Sequence, residues 1–160
     1  MQAQKKYVSR TVIVDFMNLA HRARSGFTAG DFAVVYNFFR GFRALVELLK
    51  PDRIVVALEG TPKFRTDLLT EYKANRAIDI KTDVAMQNFF RQVGIIKDLL
   101  TRHFPVSVVR HPHREADDTI YNVIKQSSSV TEFVVVSNDS DFTQLLQDFE
   151  NVSIFAHPKL

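Results

Sequence analysis

The sequence predicts a three-layer α/β/α domain of Rossmann-like type, with a mainly parallel central sheet covered by helices on both faces. Short runs of β-branched residues, nearly continuous in apolar character, recur along the chain, as strands buried on both faces require. Stretches with apolar residues at helical spacing lie between them. That alternation is the βαβ pattern, whose crossovers are right-handed.

In chain order, Val12-Ile13-Val14 is the first strand and ends at Asp15. Val35, Phe38, Phe39, Phe42, Leu45, Val46 and Leu49 mark one face of a helix, and Ile54-Val55-Val56-Ala57-Leu58 is the second strand. Phe64, Leu68 and Tyr72 fall at i, i+4, i+8 and predict a helix with one apolar stripe. Phe89, Phe90, Val93, Ile96 and Leu100 mark a further helix before a third strand at Val106-Ser107-Val108-Val109. Ile120, Val123 and Ile124 belong to the next helix, Phe133 to Val136 is the fourth strand, Phe142 to Asp148 a short helix, and Val152 to Phe155 a fifth strand. No linker, repeat or low-complexity tract interrupts this order, and Ser127-Ser128-Ser129 is short enough for a surface loop. The expectation is one domain over residues 1–160.

A chain of 160 residues is long enough to bury a core of its own. Its 46% hydrophobic and 24% charged residues exclude disorder and fibrous repeats. Cysteine is absent, which excludes disulfides, thiolate metal sites and cysteine nucleophiles, so any metal must be held by oxygen or imidazole. No apolar run approaches the ~20 residues of a membrane span, and Met1 to Arg10 carries no hydrophobic signal core. The expectation is a soluble, cytoplasmic protein without a membrane partner. The net charge of +3 says little by itself, but Lys63, Arg65, Lys73, Arg76 and Lys81 fall within one short segment.

Ligands of open α/β sheets bind at the carboxyl ends of the strands, and here those ends are acidic. Asp15 follows the first strand and Glu59 the second; Glu115, Asp117 and Asp118 come after the third, and Asp139 and Asp141 after the fourth. Like charges at ~4 Å cost each other about 1–4 kcal/mol per pair in water or at a protein surface. A common edge of this kind calls for cations, and hard oxygen donors without histidine suit Mg²⁺ or Mn²⁺, as one or two ions, rather than zinc. Such ions activate water for phosphodiester hydrolysis.

Each element also has a plainer reading. Glu115-Ala116-Asp117-Asp118 complements a helix dipole, Asp139-Ser140-Asp141 makes an Asx-turn or N-cap, and Glu59-Gly60 makes a turn. Asp15 is harder to dismiss, because a carboxylate at the end of a buried strand needs partners. Taken singly the plain readings are preferable; their coincidence at one sheet edge favours a metal site. The basic helix beside it then reads as a phosphate contact. Core packing is the preferred fate of Phe16, Phe64 and Tyr72, ahead of base stacking. His111 and His113, flanking Pro112, are assigned to an exposed turn outside the site.

These residues add up to a resemblance. Val12-Ile13-Val14-Asp15 with Asn18-Leu19-Ala20-His21-Arg22, Phe64-Arg65, Glu71-Tyr72-Lys73-Ala74-Asn75-Arg76, Glu115-Ala116-Asp117-Asp118 and Ser137-Asn138-Asp139-Ser140-Asp141 with Gln144-Leu145-Leu146 resemble, in order, the motifs of the 5′-nuclease family. That family includes flap endonucleases, phage 5′-exonucleases and the 5′-nuclease domain of DNA polymerase I. The matches spread from Asp15 to Leu146, nearly the whole chain, and the blocks in this order are specific.

The resemblance implies a PIN-like fold and a divalent-metal cluster with Asp15, Glu59, Glu115, Asp117, Asp118, Asp139 and Asp141 as direct or water-mediated ligands. It implies Lys73 and Arg76 acting on the scissile phosphate, with Asp15 and Asp139 central to catalysis and Arg65, Tyr72 and Arg22 as further nucleic-acid contacts. Residues from about Ala77 to Gln87 would form the gateway for a single-stranded 5′ end. The implied substrate is DNA with a 5′ end or flap, with RNA:DNA hybrids as a further class.

The chain departs from the family pattern at Phe16, where glycine is usual and a phenylalanine would crowd or reshape the first loop, and at Glu59, where aspartate is usual. Nothing after Asp148 matches the helix-hairpin-helix region or its further aspartates, so the reading expects that region to be missing or supplied by a protein partner. Two alternatives stand beside the nuclease: a PIN-like single-domain ribonuclease, and an inactive nuclease-like module that binds nucleic acid or protein.

Overall fold

In a computed structural model, the structure describes residues 7–60 and 83–156. Five strands form one parallel sheet: β1 (Ser9–Asp15), β2 (Arg53–Leu58), β3 (Ser107–Arg110), β4 (Thr131–Val136) and β5 (Val152–Phe155). Their order is β3-β2-β1-β4-β5. The helices are α1 (Phe16–Arg22), α2 (Ala33–Leu49), α3 (Val84–His103), α4 (Ala116–Lys125) and α5 (Thr143–Asp148), with a 3₁₀ turn at Ser140–Phe142 before α5.

The continuous apolar character of the strands has a direct cause. Val12 and Val14 of β1, Val56 and Leu58 of β2, and Val134 and Val136 of β4 pack with α1, α2 and α3 on one face. Ile13, Val55, Ala57, Phe133 and Val135 pack with α4 and α5 on the other. Successive residues point to opposite faces, so a sheet covered twice needs apolar residues at both. Right-handed crossovers explain which helix goes where: connections running outward to β3 lay helices on one face, and those returning toward β5 lay them on the other.

The strand order reverses at β1. From there the chain builds outward to β2 and β3, then crosses back through α4 to place β4 on the opposite side of β1. Val14 is in register with both Val56 and Val136. The switch point between β1 and β4 therefore opens beside the carboxyl ends of both strands, where ligands of such sheets bind.

Two local features fix the α1/α2/α3 layer. Phe16 is fully buried, its ring centroid 5.5 Å from that of Phe38. The side chain enters the core, the fate preferred for it in the sequence, and its burial excludes base stacking. Gln92 of α3, 1% exposed, accepts from the backbone N–H groups of Val34 (2.9 Å) and Val35 (3.2 Å). It caps the first turn of α2, whose own N-cap residue Phe32 makes no side-chain capping bond. Among the described residues no helix is long and apolar enough to cross a membrane.

Candidate metal and nucleic-acid site

Asp15 is both the last residue of β1 and the N-cap of α1. Its Oδ1 accepts from the Asn18 N–H at 3.4 Å and its Oδ2 from the Ser137 hydroxyl at 2.9 Å. Burial pushes its carboxyl above the ordinary value; the hydrogen bonds from Ser137 and the Asn18 amide oppose that, and the negative charges of Asp139 and Asp117 push it further up. Asp15 thus lies in the electrostatic reach of acids delivered from β4 and from α4.

Ser137, 1% exposed, follows β4 and joins the two sides of the switch point. While donating to Asp15 it accepts from the Asp139 N–H at 3.1 Å. Next to it the Asn138 N–H donates to Asn18 Oδ1 at 3.1 Å, so the loop after β4 is tied twice to the start of α1. Asp139 and Asp141 are exposed, and Asp139 Oδ1 accepts from the Asp141 N–H at 3.0 Å, capping the 3₁₀ turn.

The crossover through α4 brings the second acidic group back over β1 and β2. The α4 backbone N–H at Ala116 donates to Glu59 Oε2 at 3.4 Å, tying the β2 end to the helix N-terminus, where negative charge is favoured. Glu115 is the N-cap and is buried, while Asp117 and Asp118 are half-buried in the first turn. Asp117 Oδ1 accepts from the Asp118 N–H at 2.8 Å.

Gly60 makes this junction possible, because its N–H reaches Arg114 O at 2.9 Å and a Cβ there would lie 1.9 Å from His111 O and 2.4 Å from Arg114 O. His111 and His113 are exposed, with the His113 N–H turned back to His111 Nδ1 at 3.2 Å, which makes the turn expected of them.

Among the described residues no three acidic or imidazole side chains converge closely enough to grip one ion directly. Asp15, Asp117 and Asp139 share an electrostatic neighbourhood rather than a ready cage.

Arg22 lies in the last turn of α1, half-buried, two turns along from Asp15. Arg65, Tyr72, Lys73 and Arg76, with Phe64, Lys63 and Lys81, lie outside the described residues, as does the gateway segment up to residue 82. Its last residues, Val84 to Gln87, open α3, capped by Asp83. The roles of Ser137 and Asn18 were missed by reasoning from sequence. Their signal was a polar residue ending a buried apolar strand two positions before an acid, and an amide three positions after Asp15.

Residues 10–159 match the family described as 5′-3′ exonuclease, N-terminal resolvase-like domain. The chain belongs to this 5′-3′ exonuclease family. Among its relatives is a DNA polymerase I of Chloroflexus aurantiacus, 30% identical over 152 residues, covering 89% of this chain and 15% of the polymerase. Another is a 5′-3′ exonuclease of Mycobacterium tuberculosis, 29% identical over 136 residues, covering 78% of this chain and 42% of the relative. The chain thus spans less than half the length of either.

In fold the family member is similar to T5 5′-exonuclease with bound zinc, at a TM-score of 0.74 and 24% identity over 92% of this chain and 55% of that one. A T5 flap endonuclease complexed with DNA and metal ions is similar at a TM-score of 0.73, with 24% identity over 92% of this chain and 54% of that one. The PIN-like architecture expected from the motifs is the one observed.

Proposed function

We propose that the chain carries the catalytic part of a Mg²⁺- or Mn²⁺-dependent 5′-nuclease, a hydrolase of phosphodiester bonds in DNA with a 5′ end or flap, with RNA:DNA hybrids as a further substrate. The observation that carries this reading is the buried Asp15 at the switch point, tied to Ser137 and pressed by the charges of Asp117 and Asp139. An acidic neighbourhood of this kind is relieved by a divalent cation. Family membership and the metal-bearing T5 relatives support the same reading.

Asp15, Asp117 and Asp139 are the residues proposed nearest the metal, with Glu59, Glu115, Asp118 and Asp141 acting directly or through water. A divalent ion bound there supplies an activated water and charge stabilisation for the phosphoryl oxygens. The chain's own residues set the geometry. Ser137 holds Asp15 and the Asp139 backbone in one arrangement, the α4 N-terminus holds Glu59, and Gly60 permits the approach that joins them. Lys73 and Arg76 are proposed to hold the scissile phosphate, with Arg65, Tyr72 and Arg22 on the flanking strand.

The test is cleavage of a 5′-labelled flap DNA, a single strand and an RNA:DNA hybrid with Mg²⁺, Mn²⁺ or EDTA, beside the Asp139→Ala variant. Metal-dependent products that disappear with Asp139→Ala are expected, and their lengths report polarity. A folded wild-type chain that cuts none of these substrates with either metal overturns the proposal.

A further inference from the structure

Away from the acids, a half-buried cation of α3 has no counter-charge among the described residues. Lys97 of α3 is half-buried, its Nζ 5.6 Å from the centroid of the Phe16 ring. Among the described residues its ammonium makes no hydrogen bond or ion pair. The adjacent acid on its helix, Asp98, is taken by Arg102 at 2.7 Å. Burial, and after it the like charge of Arg110 at the end of β3, push the Lys97 ammonium below its ordinary range.

Arg110 in turn is anchored rather than neutralised, since its Nε donates to the backbone carbonyl of Glu59 at 3.0 Å. The two cations therefore stand at neighbouring strand ends, Lys97 over the residue that follows β1 and Arg110 in register with Leu58 at the end of β2, and the burial of one of them is costly unless an anion visits. Their location limits which anion. Phe16, under the Lys97 ammonium, directly follows Asp15, and Arg110 is bonded to the main chain of Glu59, so the pair lies against two of the strand ends that carry the acids. A compact ammonium beside a planar guanidinium is a donor set suited to phosphate oxygens.

We propose that Lys97 and Arg110 form a phosphate site flanking the acidic edge on its β2/β3 side, which takes a non-scissile backbone phosphate of the bound strand. The site rests on the nucleic-acid reading above and adds to it a contact made by groups outside the basic segment of residues 63–81. Its role is to fix the strand's path past the metal edge, with the Lys97 ammonium over the Phe16 ring and its charge offered to the ligand.

The test uses Lys97→Met, which keeps an unbranched apolar side chain at this half-buried position and removes the charge, and Arg110→Gln at an exposed position. Binding of a 5′-fluorescein flap DNA is followed by anisotropy in EDTA from 50 to 200 mM KCl, with melting curves as the control for folding. Each lost phosphate contact lowers the salt slope by roughly 0.7–0.9, so each variant should lose about threefold less affinity than the wild type across that range. Lys97→Met should melt no lower than the wild type, because it removes a partly desolvated charge. A folded variant of either kind whose salt slope equals the wild-type slope overturns the shared site and leaves the nuclease reading standing. A wild-type chain that binds the DNA with no salt dependence overturns both.

Discussion

Ser137→Ala tests whether the switch point is held together as described. The hydroxyl is 1% exposed, donates to Asp15 at 2.9 Å and accepts from the Asp139 N–H at 3.1 Å. Alanine removes both bonds without changing the backbone. The exposed Asp139 amide can turn to water, whereas Asp15, 7% exposed, loses a donor that water replaces poorly. A hydrogen bond to an ionised group contributes about 1.5–3 kcal/mol, which for a chain of this size is a fall in melting temperature of about 3–12 °C at neutral pH.

The charge on Asp15 is the reason for the upper part of that range, so the same substitution in an Asp15→Asn background should cost only about 0.5–1.5 kcal/mol. Urea unfolding of the four proteins in this cycle, in EDTA at neutral pH, measures the coupling. Equal costs in the two backgrounds would refute the assignment of Ser137 as the donor to an ionised Asp15. In Mg²⁺-dependent cleavage Ser137→Ala should lower kcat, since Asp15 is then free to turn from its position.

Three further outcomes are expected. Because burial, Asp139 and Asp117 raise the Asp15 carboxyl above its unfolded value, folding favours its protonated form. Stability from this group is therefore full below the unfolded value of 3.8 and is lost as pH rises through the higher folded value. Asp15→Asn should accordingly exceed the wild type in metal-free stability at neutral pH, with the advantage gone below that value; a constant difference across a pH series of melts counts against it. Phe16→Ala empties a fully buried site beside Phe38 and should cost about 3–5 kcal/mol in denaturant unfolding, whereas a cost under about 1 kcal/mol would place the ring outside the core. Gly60→Ala brings a Cβ to 1.9 Å from His111 O and should cost about 1–3 kcal/mol, with loss of metal-dependent cleavage because Glu59 and Ala116 N–H move apart; full activity would show that the loop yields freely.

Much of the sheet was legible because it is buried on both faces. Each of the five predicted runs became a strand, with β3 beginning one residue later than its apolar run and β1 extending back to Ser9. Long amphipathic helices were legible for the same reason: Phe38, Phe42 and Leu45 of α2, and Phe89, Val93, Ile96 and Leu100 of α3, are buried as their spacing requires. Helix α1 was not read from periodicity, since seven residues give only Phe16, Leu19 and Ala20 as a signal. Gln92 was equally silent: a polar residue among apolar ones looks like a helix flank until the bare N-terminus of α2 is seen above it. Lys97 looked like any surface lysine, because what distinguishes it is the company of Phe16 and Arg110, far apart in sequence.

The plain and the functional readings of the acids, set against each other in the sequence, turn out to be compatible in the structure. Asp15 is the N-cap of α1, Asp139 caps the 3₁₀ turn, Asp117 and Asp118 occupy the first turn of α4, and Glu59 accepts from the α4 N-terminus. Each of these placements sets a carboxylate beside the backbone N–H groups of a helix or turn N-terminus. In a doubly wound sheet every helix after a strand begins at the carboxyl edge, so the N-termini that carry or face the acids are gathered at that edge by topology. A carboxylate cluster built this way has its anions oriented by backbone donors before a cation arrives, and at Asp15 desolvation outweighs the donors. On this argument, the ordinary capping chemistry of a parallel sheet is what makes an acidic edge sustainable, and the charge it leaves uncompensated at Asp15 is what a divalent ion would answer.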